Sequence, residues 1–223
     1  MNRQLLKEAL IKYFAGVIIV GLLVFLPAGT IHYRNGQIFM AVLFIPMFIA
    51  GLVMLKKDPD LLKRRLKAKE TEDEQKSVIS FSGLIFILVF VAAGLSYRFK
   101  VFQLSEIWTI IGTILFLICY GLYAEVLREN TYLSRTIEVS EDQKVIDTGL
   151  YGIVRHPMYT ATTLLFLCIP LILGSSVSLL IMCGYLPLIV KRIRNEEEVL
   201  ERDLKGYKEY KEKVRYRLIP YIW

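Results

Sequence analysis

Two short stretches of this 223-residue chain carry side chains suited to chemistry. The first, Arg155-His156-Pro157 followed by Tyr159, lies within GLYGIVRHPMYTA and runs directly into mostly apolar sequence. The second, Arg192-Ile193-Arg194-Asn195-Glu196-Glu197-Glu198, appears where that apolar sequence ends. Pro157 suits the first turn of a helix, where its missing N–H is not needed. Arg155 and His156 then stand at the positive end of a helix, a position that favours a carboxylate or a phosphate. Arg155 adds a fixed fork of donors, and His156 can donate to the same ligand or accept from an amine. Tyr159, with Tyr151 eight residues earlier, supplies aromatic surface and hydroxyls. The second stretch offers carboxylates for an ammonium and guanidinium groups for a carboxylate. Brought together, the two stretches form a receptor for a zwitterionic ligand.

What can bring them together is the apolar region between them, residues 160–190. It is longer than one membrane span and is broken by Pro170 and by Gly174-Ser175-Ser176, the pattern of a helical hairpin. Each arm has about 15 residues, or about 22 Å at the helical rise, so the hairpin crosses obliquely or only in part. Its two feet must be neighbours, which puts Arg155 and His156 beside Arg194 and the glutamates. Each stretch alone has a plainer explanation. The triplet fits headgroup anchoring with tyrosines in an interfacial belt, and the charged run fits an exposed helix with i,i+4 pairs. Neither explains why they face each other across a hairpin.

The rest of the chain supplies the membrane context. Hydrophobic residues make up 55% of it, and the mean hydropathy is +0.47, above the range of an ordinary soluble domain. Four apolar runs, near 13–31, 38–55, 78–97 and 107–127, each have about the 20 residues needed to cross a hydrocarbon core. The first is too long for a cleavable signal peptide and lacks a small-residue cleavage site after it. The expected fold is therefore an all-α integral membrane protein. It has four transmembrane helices plus a C-terminal helical hairpin, with a cytoplasmic loop and a C-terminal helix beside it. The expected division is a transmembrane anchor, 1–127, with a basic cytoplasmic loop at 56–77, and a second region, 128–223, holding the hairpin and the polar stretches.

Net charge is +7. With the N-terminus inside, 25 of the 28 lysines and arginines lie in segments on the cytoplasmic side, leaving Arg34, Arg98 and Lys100 opposite. This is the positive-inside pattern, and it places both termini in the cytoplasm, at the inner or plasma membrane for a bacterial protein. The basic charge is thus accounted for by topology and anionic membrane lipids, with no role for nucleic acid. Nothing in the sequence specifies an oligomeric state. Within the anchor, DPDLLKRRLKAKE reads as a short interfacial amphipathic helix starting at Asp58-Pro59, with Leu61, Leu62 and Leu66 on one face. It serves as an anchor or, in a functional version, as a lid or lipid-contact element. The alternation in TIEVSEDQKVID, residues 136–147, suggests a small hairpin or extended loop, after which Gly149 turns the chain. Cys119, Cys168 and Cys183 lie in apolar segments without the close spacing of a metal site or disulfide framework, and no metal is expected.

The span 130–223 resembles the isoprenylcysteine carboxyl methyltransferase family, which shares its core with phospholipid N-methyltransferases. NTYLSRTIEV, VIDTGLYGIVRHPMY, an apolar hairpin, RNEEEVL, GYKEY and VRYRLIP follow in the family's order and at similar spacing. The anchor matches only in hydropathy. The resemblance implies S-adenosylmethionine in a cytoplasm-facing pocket built by the C-terminal half, with a lipophilic acceptor, a small molecule or lipidated peptide, entering from the bilayer. It implies cofactor contacts by Arg155, His156 and Tyr159 and by Glu196 and Glu197. Tyr207 and Tyr210 resemble the family's paired tail tyrosines, though a common version sets them two residues further after the glycine. Arg192 or Arg194 resembles the arginine that holds the acceptor carboxylate.

Transfer of a methyl group to a carboxylate needs no general base, because the acceptor is ionised at neutral pH. Rate then comes from alignment and loss of water. An amine acceptor such as phosphatidylethanolamine must lose a proton, making His156 or a glutamate a candidate base. A carboxyl O-methyltransferase is the leading expectation, and a lipid N-methyltransferase is the alternative. From a different class come a non-catalytic membrane protein and a sterol-type reductase with a nicotinamide cofactor. Glu196 to Glu198 weigh against the last by repelling phosphates.

Overall fold

The computed structural model describes residues 3–66, 73–133, 139 and 143–223, and these are helical apart from turns, loops and an isolated antiparallel bridge, Gln103 with Ser175. The chain runs α1 (Arg3–Ala28), α2 (Arg34–Lys57), α3 (Pro59–Leu66), α4 (Asp73–Phe99) and α5 (Glu106–Glu129). A single 3-10 turn, Gly149–Gly152, leads into α6 (Pro157–Leu173), α7 (Ser176–Cys183), α8 (Tyr185–Asp203) and α9 (Tyr207–Lys213). Among the described residues, five helical stretches are long and apolar enough to cross a membrane: α1, α2, α4, α5 and the continuous run of α7 and α8. The protein is therefore multi-pass. Their outward faces carry residues such as Ile18, Leu26, Ile45 and Ile118, exposed as a lipid-facing surface requires.

The expected hairpin exists with a longer second arm than its sequence suggested. Instead of ending near Val190, that arm runs from Ser176 to Asp203 as α7 and α8, so that α8 carries the charged stretch onward as helix. Gly184 joins them in right-handed helical geometry, its N–H bonding to the carbonyls of Ile181 and Met182. Pro187, in the first turn of α8, lacks the N–H that would bond back to α7, which separates the two helices without ending the arm. The first arm, α6, has 17 residues, about 25 Å at the helical rise. Its tip nevertheless reaches the far end of the bundle, where loops α1–α2 and α4–α5 hold it. Tyr33 OH donates to the Leu173 carbonyl, Leu104 N–H to the Gly174 carbonyl at 2.9 Å, and Ser176 N–H to the Phe102 carbonyl at 3.0 Å. The hydroxyls of Ser96 and Ser175 meet at 3.0 Å. In an apolar surrounding every exposed main-chain group needs such a partner, and these bonds fix how far the hairpin reaches.

One hydrophobic core joins both halves of the chain. Val24, Phe39, Val89 and Phe116 from the first four spans pack with Tyr159, Ile169, Ile172, Ile189 and Ile193 from the hairpin. Close approach of α5 and α6 is set at Gly112, where an added Cβ would lie 2.8 Å from Leu171 Cβ and 3.1 Å from Ile172 N. The short helix α3 lies as expected at the end of the bundle that holds the hairpin's feet. Asp58 Oδ1 accepts from Leu61 N–H at 2.9 Å, and Leu62 and Leu66 pack with Leu5 and Leu55. Half of the alternating stretch 136–147 lies outside the described residues, and its described positions, 139 and 143–147, have no regular secondary structure.

Gly112→Val inserts a branched side chain against Leu171 and the Ile172 main chain. It should lower unfolding free energy by about 1–3 kcal/mol, read as a reduced midpoint in thermal unfolding of detergent-solubilised protein. An unchanged midpoint would show that α5 and α6 can separate without cost.

Candidate functional site

The approach to α6 begins at Gly149, whose φ of +53° is one that residues with a side chain rarely adopt. A Cβ there would fall 1.5 Å from the Glu129 carboxylate, because that carboxylate accepts the Leu150 N–H at 3.0 and 3.2 Å. Glycine is required at this turn twice over, and the turn delivers Arg155 and His156 to the head of α6. Both main-chain N–H groups then pair with the tail: Arg155 N–H donates to the Tyr216 carbonyl at 2.8 Å, and His156 N–H to that of Arg217 at 2.9 Å.

Behind this pairing lies a buried carboxylate. Glu197, only 3% exposed, accepts from Arg155 Nε at 2.7 Å and His156 Nε2 at 3.2 Å through Oε1, and from Arg217 Nε at 2.9 Å through Oε2. Arg155, 5% exposed, also donates through Nη1 to the carbonyls of Val214 and Arg215 at 2.7 and 2.8 Å. Foot of α6, middle of α8 and tail are thereby joined by charge-assisted bonds in a place shielded from water. Because the carboxylate is already an acceptor for two guanidinium groups, His156 meets it as a donor. In the neutral ring this assigns the proton to Nε2 and leaves the lone pair on Nδ1.

In front of the node opens a cleft whose empty space, counted with its open mouth, is about 800 Å³. Helical phase decides what α8 shows it. At about 100° per residue, Arg192, Glu196 and Leu200 share one stripe, and Ile189, Ile193 and Glu197 the next. The first stripe lines the cleft, whereas the second is buried. Arg192 Nε donates to Tyr159 OH at 2.9 Å with its guanidinium 5.9 Å from the ring centre, and Tyr159 OH donates to Glu196 Oε2. One wall of the cleft thus presents an arginine, a tyrosine and a glutamate in contact with one another. Leu200, Leu204, Val145 and Tyr207 also line the cleft, backed by a small core with Tyr210 and Val214. Tyr210 OH donates to the Tyr151 carbonyl at 2.7 Å. The Tyr207 hydroxyl is buried without a hydrogen-bond partner among the described residues. Burial first, and then the negative charges of Glu197 and Glu196, push its ionisation well above the ordinary tyrosine value, so it stays a neutral donor.

Seven residues singled out in the sequence therefore line one cleft: Arg155, His156, Tyr159, Arg192, Glu196, Tyr207 and Tyr210. Glu197 is behind its wall, holding two lining residues in place. Arg194 is exposed on another face of α8 and is not among the lining residues. Arg217 and Arg65 had no assigned part. Arg217 lay inside the VRYRLIP stretch without a stated partner, and its partner is twenty positions away on a helix. Arg65 reaches across from α3, Nη1 donating to Met158 Sδ at 3.8 Å and Nη2 to Tyr123 OH, with its guanidinium 5.6 Å from the Tyr123 ring centre. Met158 lines the cleft, so the amphipathic helix touches its wall.

Residues 107–205 match the family model for phospholipid methyltransferases, a stretch that takes in α5 to α8 and stops short of α9 and the tail. A delta(14)-sterol reductase of Mus musculus is 29% identical over 91 residues, which is 40% of this chain and 22% of the reductase. The chain thus spans about a fifth of that relative's length.

Removing the carboxylate at the node should be felt as lost stability, because it leaves buried cations unmatched. Glu197→Ala should lower unfolding free energy by about 3–5 kcal/mol, measured by chemical unfolding in detergent micelles. Glu198→Ala, at the next position and exposed on another face of α8, should change it by less than about 0.5 kcal/mol. Equal effects from the two variants would refute the node.

Proposed function

We propose that this protein is an integral membrane methyltransferase that uses S-adenosylmethionine and methylates the carboxylate of a lipophilic acceptor such as an isoprenylcysteine. The observation that carries the proposal is the wall formed by Arg192, Tyr159 and Glu196, with both signs of charge in a cleft at the membrane-proximal foot of the hairpin. The match of α5 to α8 to phospholipid methyltransferases supports the reaction class. The cleft suits the donor on two counts. It has carboxylate and guanidinium groups for an amino acid moiety, and in Tyr207 a buried donor without a partner among the described residues. When bound, S-adenosylmethionine supplies a methyl group on a positively charged sulfur, ready for in-line displacement.

The chain's own residues do the rest. Arg192 orients the acceptor carboxylate, exchanging its bond to Tyr159 for a bidentate one. Tyr159 and Glu196 hold the position of the arginine before that exchange. Arg155 and His156, fixed by Glu197, keep the cleft wall from shifting, since misplacement by an ångström is costly for alignment. The apolar lining residues Leu200, Leu204 and Val145 exclude water, and a carboxylate stripped of water is the stronger nucleophile. The positive-inside charge pattern supports placing the cleft and both termini on the cytoplasmic side.

An amine acceptor is the second candidate, favoured by the description of the matched family as phospholipid methyltransferases. For that chemistry His156 Nδ1, with its lone pair, is the group to take the proton. Both are tested by supplying methyl-labelled S-adenosylmethionine to membranes that contain the protein. Label released by mild base marks an ester, and label retained marks a methylated amine. If no label is transferred and the protein binds a nicotinamide dinucleotide instead, the similarity to the sterol reductase describes its chemistry and the proposal fails. Within the proposal, Arg192→Ala should reduce kcat/KM for the acceptor by about 10- to 100-fold, the loss of a hydrogen bond to a charged group. Arg194→Ala should leave it within about twofold.

A further inference from the structure

After α9 the chain doubles back toward the bundle. Residues 214–217 pair with Arg155 and His156, and the residues after them close into a turn. The N–H groups of Arg217, Leu218 and Ile219 all donate to the Trp223 carbonyl, at 2.9, 2.9 and 3.1 Å, and Trp223 N–H returns a bond to the Ile219 carbonyl at 3.1 Å. Tyr221 has a φ of +66° inside this turn. Such tight closure buries Leu218 and packs Trp223 on the main core, among residues of the spans. It also turns other side chains outward: Ile219, Tyr221 and Ile222 are exposed, the last two by 88% and 76%. Three large apolar or amphipathic side chains on one knuckle are unusual for a surface that meets only water.

The height and direction of the knuckle identify what it meets. Thr160 Oγ1 donates to the Leu218 carbonyl at 2.8 Å, and Thr160 belongs to the first turn of α6. Leu164, one turn further along that face of α6, is 46% exposed on the apolar exterior of the bundle. The knuckle therefore sits where α6 enters the membrane, in line with a lipid-facing residue. Arg215 is exposed beside it, and the Arg217 guanidinium lies 5.2 Å from the Trp223 ring centre. Aromatic rings, aliphatic tips and arginine at such a height are the chemistry of the headgroup layer.

We propose that residues 219–223 form an interfacial anchor that inserts Ile219, Tyr221 and Ile222 into the cytoplasm-facing headgroup layer of the bilayer. The anchor holds the tail against the foot of α6 from outside. Its inner neighbour Arg217 reaches Glu197 at 2.9 Å, so the docked tail also steadies the cleft wall. This inference rests on the knuckle's placement and does not depend on the reaction proposed above.

The test places a nitroxide label at position 222 by Ile222→Cys, in a Cys183→Ser background that removes the exposed native thiol. A matching label at Lys208, on α9, serves as the aqueous reference. The full-length protein is reconstituted in vesicles of phosphatidylcholine with anionic phosphatidylglycerol, and collision rates with oxygen and with a water-soluble nickel chelate are compared. The anchor predicts oxygen contact favoured at 222 and chelate contact favoured at 208, the chelate reaching 222 at least fivefold less often. Equal chelate access at the two positions would overturn the proposal. Dipolar broadening at 222, the signature of a second copy covering the knuckle, would overturn it as well. The readout is insensitive to whether S-adenosylmethionine binds, so its failure is separable from failure of the methyltransferase proposal.

Discussion

A carboxylate removed from water must find enough positive partners, and at Glu197 those partners come from segments far apart in the chain. Arg155 and His156 arrive from the foot of α6 and Arg217 from the tail, on opposite oxygens. Among the described residues Glu197 is the carboxylate that all three reach. The penalty for an unmatched buried ion is several kcal/mol, far above that for a loose surface pair. With the carboxylate present the hairpin's two feet and the tail form one body; without it, the Arg155 guanidinium is left buried without its counter-charge. The cleft in front depends on this node, because Arg155, His156 and Tyr159 from the foot of α6 and Arg192 and Glu196 from α8 line it.

The bundle's task is to bring those segments together at the right height. Gly112 lets α6 lie close along α5, and the polar bonds at the hairpin's tip set how far it reaches. With the tip fixed, the length of α6 sets where Arg155 and His156 stand. The second arm leaves the bundle without ending, so that α8 is both a span and a wall of the site. Its helical phase then sorts neighbouring residues into different duties. Ile193 and Glu197 turn inward, Arg192 and Glu196 face the cleft, and Arg194 and Glu198 face out.

Much of this was legible in the sequence wherever a local rule applied. Hydropathy marked the four spans and the hairpin, Pro157 marked the start of α6, and Asp58-Pro59 marked the start of α3. The meeting of the RHP and EE stretches followed from antiparallel geometry alone. What was not legible depended on packing. Phase separates Arg192 from Arg194, but which stripe faces inward is decided by Ile189 and Ile193 entering the core. The length of the second arm was underestimated because charge was taken as its end, whereas charge marks only where the helix leaves apolar surroundings. Arg217 and Arg65 escaped notice because their partners lie on other elements, and no spacing rule connects residues that meet only after folding.

One buried carboxylate keeps the foot of α6 and the tail together. Amide hydrogen exchange on Glu197→Gln and the wild-type protein, in nanodiscs and without ligand, reads that connection directly. The amides of Arg155 and His156 bond to tail carbonyls and those of Arg217 and Leu218 close the terminal turn. In the variant both sets should exchange faster together, by about tenfold or more, while amides in the middle of α6 keep wild-type protection. Unchanged exchange at Arg155 and His156 in the variant would contradict the account.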